Sequence, residues 1–222
     1  MRSFRYKRLV QFIKPPDPTI NLNYYYLKKM VDGNNYKQML DIGCGNRRLS
    51  DNIINFDIES NSNIDIVGDG HFLPFKNEIY DLVICQAVLE HVNDPHKILS
   101  EINKCLKYGG TLYVEIPFLQ GFHGDPYDYQ RFTLNGLLYL VRDFEVINYG
   151  VNIGPFSSLS WWLRKLPTIF IKNNYLNLIF EFFSGWLFFW IKYFDLIFIF
   201  AKNKHVLACG IYVTVKKTGK LI

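Results

Sequence analysis

The chain of 222 residues reads as an α/β domain, a mainly parallel sheet of seven strands with a helical aromatic insertion before the last. Three observations predict this. Short apolar runs alternate with helical patterns over residues 38–150, as in a parallel sheet with crossover helices. A glycine corner, Gly43-Cys44-Gly45, follows the first run, at the strand end where such sheets bind ligands. Residues 152–206 then break the alternation with a long aromatic stretch.

The elements follow in order. "YYYLKKMVD" (24–32) is a short helix ended by Gly33, within a basic N-terminal extension over 1–37. "QMLDI" (38–42), "IINFD" (53–57), "IDIV" (64–67) and "YDLVICQ" (80–86) are the first four strands, the fourth as apolar as a strand buried on both faces. Asp94-Pro95 starts a helix with an acidic N-cap and proline at the first position. Its apolar face is Ile98, Leu99, Ile102, Cys105 and Leu106, and Gly109-Gly110 is its expected stop. "TLYVEIPF" (111–118) is strand five, Thr133 caps the next helix, and "FEVINYG" (144–150) and "ACGIYVTVKK" (208–217) close the sheet. The core thus covers 38–151, the insertion 152–206, and the last strand and tail 207–222.

Only "NRRLSDN" separates the corner from strand two, and "IESNSN" separates strand two from strand three. Parallel neighbours ordinarily need a crossover of about a dozen residues or more. The first crossovers are therefore shortened, and the sheet near strand three needs cover from the N-terminal helix or another subunit.

A net charge of +5 without a dense basic stripe does not point to nucleic acid. Four scattered cysteines, Cys44, Cys85, Cys105 and Cys209, form no CxxC pair, which suits a reducing cytosol and excludes a disulfide scaffold. The N-terminal stretch has charge but no continuous apolar core, unlike a secretory signal.

Glycines after a first strand let the backbone turn sharply beside a ligand. An acid ending the next strand, here Asp57, can accept hydrogen bonds from ribose hydroxyls. The dinucleotide fingerprint needs a third glycine and an acid about twenty residues on. Here Arg48 takes the third glycine's place and Asp57 comes early, so an NAD-dependent oxidoreductase is a remote alternative. No Lys-Ser/Thr follows the corner, which excludes a P-loop. Asp69, in "GDGHFLPF", stands where a carboxylate can meet an adenine amino group.

In combination, "LDIGCG", the acid ending strand two, "GDGHFLPF", "LEHVNDP" and "LKYGGTLYVEIP" closely resemble class I S-adenosylmethionine-dependent methyltransferases, the type 11 group in particular. The resemblance spans about residues 38–150 and implies a Rossmann-like sheet with S-adenosyl-L-methionine as cofactor. It implies that Asp41, Gly43, Cys44 and Gly45 border the methionine half and that Asp57 holds the ribose. Asp69, Gly70 and His71 would face the adenine, and Cys85 and Gln86 would lie near the amino group and sulfonium. For Cys44 and Cys85 a role as small buried hydrophobes stands beside that one.

"FLQGFHGDPYDYQRFT" (118–133) follows strand five, on the rim where acceptors bind in such enzymes. It groups His123, Asp125, Tyr127, Asp128, Tyr129 and Arg131. His123 is the expected base with Asp125 or Asp128 orienting it, and Tyr127, Tyr129 and Arg131 are expected to contact the acceptor. A structural Asp128–Arg131 pair is the competing reading. His91 is the rival base. Related quinone-type O-methyltransferases resemble this stretch but hold a divalent metal with E-x-x-E-H. Ala87 occupies the first glutamate position here, so no metal is expected.

"LNLIFEFFSGWLFFWIKYFDLIFIF" (176–200) has 25 residues and no proline. Glu181, Lys192 and Asp195 would each cost ~2.5–3.5 kcal/mol at a membrane centre. With Asn177 and Ser184 they form one polar stripe, and Gly185 is a candidate break between two helices. Three roles compete for 157–200: peripheral membrane contact, a homodimer or lid interface, and a bilayer crossing. The expected protein is a cytoplasmic methyltransferase that transfers a methyl group to oxygen or nitrogen of a small or lipid- or glycan-linked acceptor. In the peripheral-membrane reading it sits on the cytoplasmic face. The alternative is a non-catalytic protein that binds the cofactor and docks a partner.

Overall fold

The computed structural model describes residues 14–33, 35–124, 127–198 and 200–219. The strands are β1 (Met39–Ile42), β2 (Ile53–Asp57), β3 (Ile66–Val67), β4 (Tyr80–Gln86), β5 (Leu106–Pro117), β6 (Glu145–Ile153) and β7 (Gly210–Lys216). They form one seven-stranded sheet in the order β3-β2-β1-β4-β5-β7-β6. β3, β2, β1, β4 and β5 run parallel, while β7 is antiparallel to both β5 and β6. Strand order reverses between β1 and β4, which leaves a crevice at their carboxyl ends.

Helix α1 (Tyr24–Asp32) precedes the sheet, α2 (Pro95–Cys105) joins β4 to β5, and α3 (Leu134–Leu140) precedes β6. Local chemistry sets two of the starts. Asp94 accepts from the Lys97 amide ahead of Pro95, and Thr133 accepts from the Gly136 amide. The expected stop at Gly109-Gly110 is corrected. α2 ends at Cys105 because Leu106 is already extended, and the glycines lie inside β5, where its register against β4 shifts. Gly109, at φ +76°, makes the left-handed residue of that irregularity.

Among the described residues no helix joins β1 to β2 or β2 to β3. β3 shrinks to two residues, and a polar web replaces the missing cover. Arg48 donates to the Ile53 and Asn63 carbonyls and pairs with Asp65, and Asn55 donates to the Arg47 and Asn63 carbonyls. α1 supplies apolar cover, packing Leu27 and Val31 against Met39, Ile53, Leu82, Ile84 and Tyr113. The larger core lies in a separate cluster, where Ile98, Leu99, Ile102, Leu137 and Leu140 meet the sheet.

The insertion contains α4 (Pro155–Ile169), α5 (Asn174–Phe188), a 3₁₀ segment (Phe189–Phe194) and α6 (Asp195–Phe198). The chain does not break at Gly185. α5 runs through it, and a Cβ there would come within 2.6 Å of Pro15, so that glycine serves close packing. The turn comes at Phe188–Phe189, so 176–200 is not one rod, and no helix among the described residues is long and apolar enough to cross a membrane.

The polar stripe of the insertion points inward. Glu181 pairs with Lys165 at 2.8 Å and Arg164 at 3.3 Å, and the Ser184 hydroxyl donates to the Arg164 carbonyl. Fully buried Asp195 accepts from the Phe156 and Ser157 amides and the Ser157 hydroxyl, capping the first turn of α4. An N-terminal strap ties the insertion to the sheet. Lys192 donates to the Asp17 carbonyl at 2.5 Å, the Ile20 amide to Ser157 Oγ, and the Leu22 amide to the Asn152 carbonyl.

Candidate active site

A cavity of about 420 Å³ opens at the carboxyl ends of β1, β2 and β4. Its floor is the glycine corner. Gly43 (φ +64°) donates its amide to the Phe56 carbonyl at 2.8 Å, and a Cβ on it would strike Val88 at 2.2 Å. Gly45 (φ +57°) donates its amide to Asp57 Oδ2 at 2.8 Å, while Asp57 Oδ1 accepts from the Glu59 amide at 3.0 Å. The carboxylate of Asp57 therefore holds the corner against the turn after β2 and still faces the cavity.

Asp69, Gly70 and His71 form another wall. The His71 amide and ring Nδ1 both meet Asp69 Oδ1, at 2.9 and 2.7 Å. The backbone bond from His71, with the ring's contribution, holds the Asp69 carboxyl below its usual range. His71 Nε2 is buried without a hydrogen-bond partner among the described residues. Among the described residues three carboxylates, Asp57, Glu59 and Asp69, line the cavity, and no lysine or arginine does. Such a wall attracts a cationic ligand and repels a pyrophosphate.

Six of the ten residues expected around the cofactor line the cavity: Gly43, Gly45, Asp57, Asp69, Gly70 and His71. Asp41, Cys44, Cys85 and Gln86 do not, because the chain buries them behind the corner. Asp41 meets Arg47 Nη2 at 3.0 and 3.1 Å, and burial, only partly offset by that guanidinium, pushes its carboxyl up to about 6. Burial likewise raises the Cys44 thiol to about 11 and the Cys85 thiol further, as suits packed, unreactive sulfur. Gln86 donates to Glu115 at 2.5 Å, within a network that also takes bonds from Tyr113 and Asn21.

Sequence reasoning missed Glu59, Val88, Val92, Asn93 and Ile98, which also line the cavity. Ala87, beside Val88, lies in the left-handed region at φ +53°, a strained conformation for a residue with a Cβ. A non-glycine residue held that way at a strand end often marks a ligand site, but no sequence motif announces it.

The loop after β5 forms the far side. Tyr127 and Tyr129 line the cavity beside His91, their rings 5.5 Å apart. Asp125 lies outside the described residues. Asp128 touches His123 through the backbone, accepting its amide at 2.9 Å, while the ring Nδ1 lies 3.8 Å from Oδ2. Arg131 gives a fork to both oxygens of Asp128 and also donates to the carbonyls of Gln120, Gly121 and Gln130. That guanidinium drives the Asp128 carboxyl down to about 2 and is committed to ordering the loop. Burial lowers the His123 imidazole. Behind His91 lies Glu90, fully buried, with neither carboxylate oxygen hydrogen-bonded to a side chain or neighbour among the described residues and its carboxyl pushed up by burial to about 7.

Part of this sequence, and the fold as a whole, resemble known proteins. Residues 40–114 match the family described as "Methyltransferase domain". A ubiquinone biosynthesis O-methyltransferase of Erwinia tasmaniensis is 32% identical over 100 residues, 35% of this chain and 41% of that protein. A tRNA U34 carboxymethyltransferase of Campylobacter fetus is 33% identical over 72 residues, 32% of this chain and 25% of that protein. In structure, the phosphoethanolamine N-methyltransferase 2 of Haemonchus contortus, solved with S-adenosyl-L-methionine, superposes with a TM-score of 0.56 at 16% identity. The match covers 88% of this chain and 52% of that one. The [4+2]-cyclase SpnF gives the same TM-score at 16% identity, over 87% of this chain and 81% of its own. The match to the methyltransferase family is confined to residues 40–114, and the whole chain shares the fold of a Bacillus halodurans protein described as a "putative methyltransferase" at a TM-score of 0.53 and 12% identity, over 88% of this chain and 99% of that one. The chain spans between 25% and 62% of the length of the curated relatives it matches.

Proposed function

We propose that this protein is an S-adenosyl-L-methionine-dependent methyltransferase whose acceptor is a small or lipid-linked molecule with a reactive oxygen or nitrogen. The acid-lined cavity over the glycine corner carries the reading. Asp57 is positioned to accept from two ribose hydroxyls, and Asp69 with His71 to meet the adenine edge. Gly43 and Gly45 leave backbone space for the methionine half, whose ammonium and sulfonium charges suit the surrounding carboxylates. Ala87 and Val88 close the floor. The cofactor supplies an electrophilic methyl group on a cationic sulfur. The protein's task is to align an acceptor about 3 Å from that methyl group and exclude water. Tyr127 and Tyr129 offer aromatic faces for the acceptor. His91, which lines the cavity, is the candidate to receive a proton from it, and His123 stands behind it, outside the lining.

The insertion supports the lipid-linked part of the reading. Its acids, Glu181 and Asp195, face inward, while Phe183, Leu187 and Ile197 are 66%, 61% and 69% exposed. Arg164, Lys165, Lys172 and Lys192 leave the segment net cationic. Arg164 and Lys165 are paired with Glu181 and Lys192 is buried, so the apolar outer face, more than charge, suits a membrane interface.

Calorimetry with S-adenosylhomocysteine tests the cofactor assignment, and release of that product from the methyl donor with candidate acceptors tests turnover. Absence of binding would overturn the reading. Flotation with anionic vesicles is expected for the intact chain and lost when Phe183, Leu187 and Ile197 become Glu. A stable dimer in light scattering without flotation would assign that face to a second copy instead.

A further inference from the structure

We propose that Glu90, His91 and His123 bind one first-row divalent cation of the Zn²⁺ type at the acceptor end of the cavity. One ligand atom from each residue lies within 4.8 Å of the others. Nε2 of His91 stands 3.7 Å from Glu90 Oε1, and Nε2 of His123 stands 3.8 Å from the same oxygen. Around a tetrahedral cation with bonds of about 2.0–2.1 Å, neighbouring ligands sit roughly 3.4 Å apart. The two glutamate–histidine pairs need to close by only a few tenths of an ångström, and the histidine pair lies within 4.8 Å.

The surroundings of each ligand agree. His91 Nδ1 lies 2.5 Å from the Tyr127 carbonyl, which can only accept, so that nitrogen carries the proton and Nε2 keeps its lone pair. His123 Nδ1 lies 3.2 Å from the Gly121 carbonyl and the same distance from Arg131 Nη2. Both hydrogens of that Nη2 are used, on Gly121 and Asp128, so Nδ1 takes the donor role and Nε2 again faces Glu90 unprotonated. Backbone carbonyls that fix the tautomer of two histidines toward one carboxylate are the usual outer support of a metal centre. Glu90 has the complementary deficit: it is 0% exposed and neither oxygen has a hydrogen-bond partner among the described residues. An unpartnered buried carboxyl is costly in either protonation state, and a cation offsets that cost.

His91 also lines the cavity, so the remaining coordination position faces the acceptor space. The catalytic consequence rests on the methyltransferase reading; the binding does not. A hydroxyl bound there loses its proton to water more readily. Its oxygen lone pair then forms the bond to the methyl carbon as the carbon–sulfur bond breaks, the electron pair leaving on sulfur. The two histidines are then ligands, and neither is the base.

The test is Zn²⁺ calorimetry on the chelator-stripped full chain, with visible absorption on Co²⁺ substitution. One equivalent is expected to bind. Glu90→Gln and His123→Asn should lose that isotherm, while Asp69→Asn, on the opposite wall, should keep it. Far-UV circular dichroism and the urea midpoint check that each variant folds. Failure to bind one equivalent, or equal binding by folded Glu90→Gln, overturns the metal site. If Zn²⁺ binds at these residues but S-adenosylhomocysteine does not, the cofactor reading falls and the metal site stands.

Discussion

The two corner glycines differ in a way that substitution can resolve. Both have left-handed backbones, so alanine at either costs ~1–2 kcal/mol for the conformation alone. A Cβ on Gly45 meets nothing within 4 Å. On Gly43 it would stand 2.2 Å from Val88 Cγ2, whereas carbons in contact sit about 3.5–4.0 Å apart. Valine is stiff about χ1, so relief requires moving the corner or β4's last turn, an overpacking cost of ~1–3 kcal/mol more. Urea denaturation should therefore show Gly45→Ala destabilised by ~1–2 kcal/mol and Gly43→Ala by ~2–5 kcal/mol. Adding Val88→Ala to Gly43→Ala should recover part of the excess, a non-additivity expected only of touching residues. Equal losses for the two glycines, or no recovery in the double variant, would refute the steric argument.

Three further outcomes follow from the same geometry. Asp57→Ala removes a charged acceptor for ribose hydroxyls and should weaken S-adenosylhomocysteine binding ~10–100-fold by calorimetry, at ~1.5–3 kcal/mol for hydrogen bonds to a charge. Asp195→Ala leaves the Phe156 and Ser157 amides of α4 uncapped and should lower stability by ~2–4 kcal/mol in urea. Asp41 makes stability pH-dependent, because its folded pKa of about 6 lies above the ordinary 3.8. Its contribution is full below about pH 4 and is lost as pH rises through 6, some 3 kcal/mol in all at about 1.4 kcal/mol per unit. The stability difference between wild type and Asp41→Asn, followed from pH 4 to 8, should shift by that amount and then level off.

The strands were legible because apolar runs and a glycine corner are local signals. Asp94 and Thr133 were legible as caps for the same reason. Gly185 and Gly109-Gly110 misled, because a glycine in sequence looks alike whether it ends a helix, admits a neighbour or makes a bulge. At Gly185 the neighbour is Pro15, some 170 positions away, and at Gly109 the cause is a register shift against β4. Asp57 and Asp69 could be found because strand ends fix their direction. Asp41, one turn of the pleat earlier, carries the same charge but points to Arg47. Glu90 reads in sequence only as part of the stretch that resembles E-x-x-E-H, beside His91, because its condition, burial without a hydrogen-bond partner among the described residues, exists only in the folded chain.

The strap at the front of the chain sets the order of assembly. Asp17 finds Lys192 across 175 positions, and Ile20 finds Ser157 across 137. Residues 17–22 leave the ribosome well before the partners they bind at 152–192, and closing so long a loop is entropically slow. The Ile20 and Leu22 amides should gain exchange protection only after the insertion has folded, whereas α1, most of whose apolar partners lie at 39–113, can dock earlier.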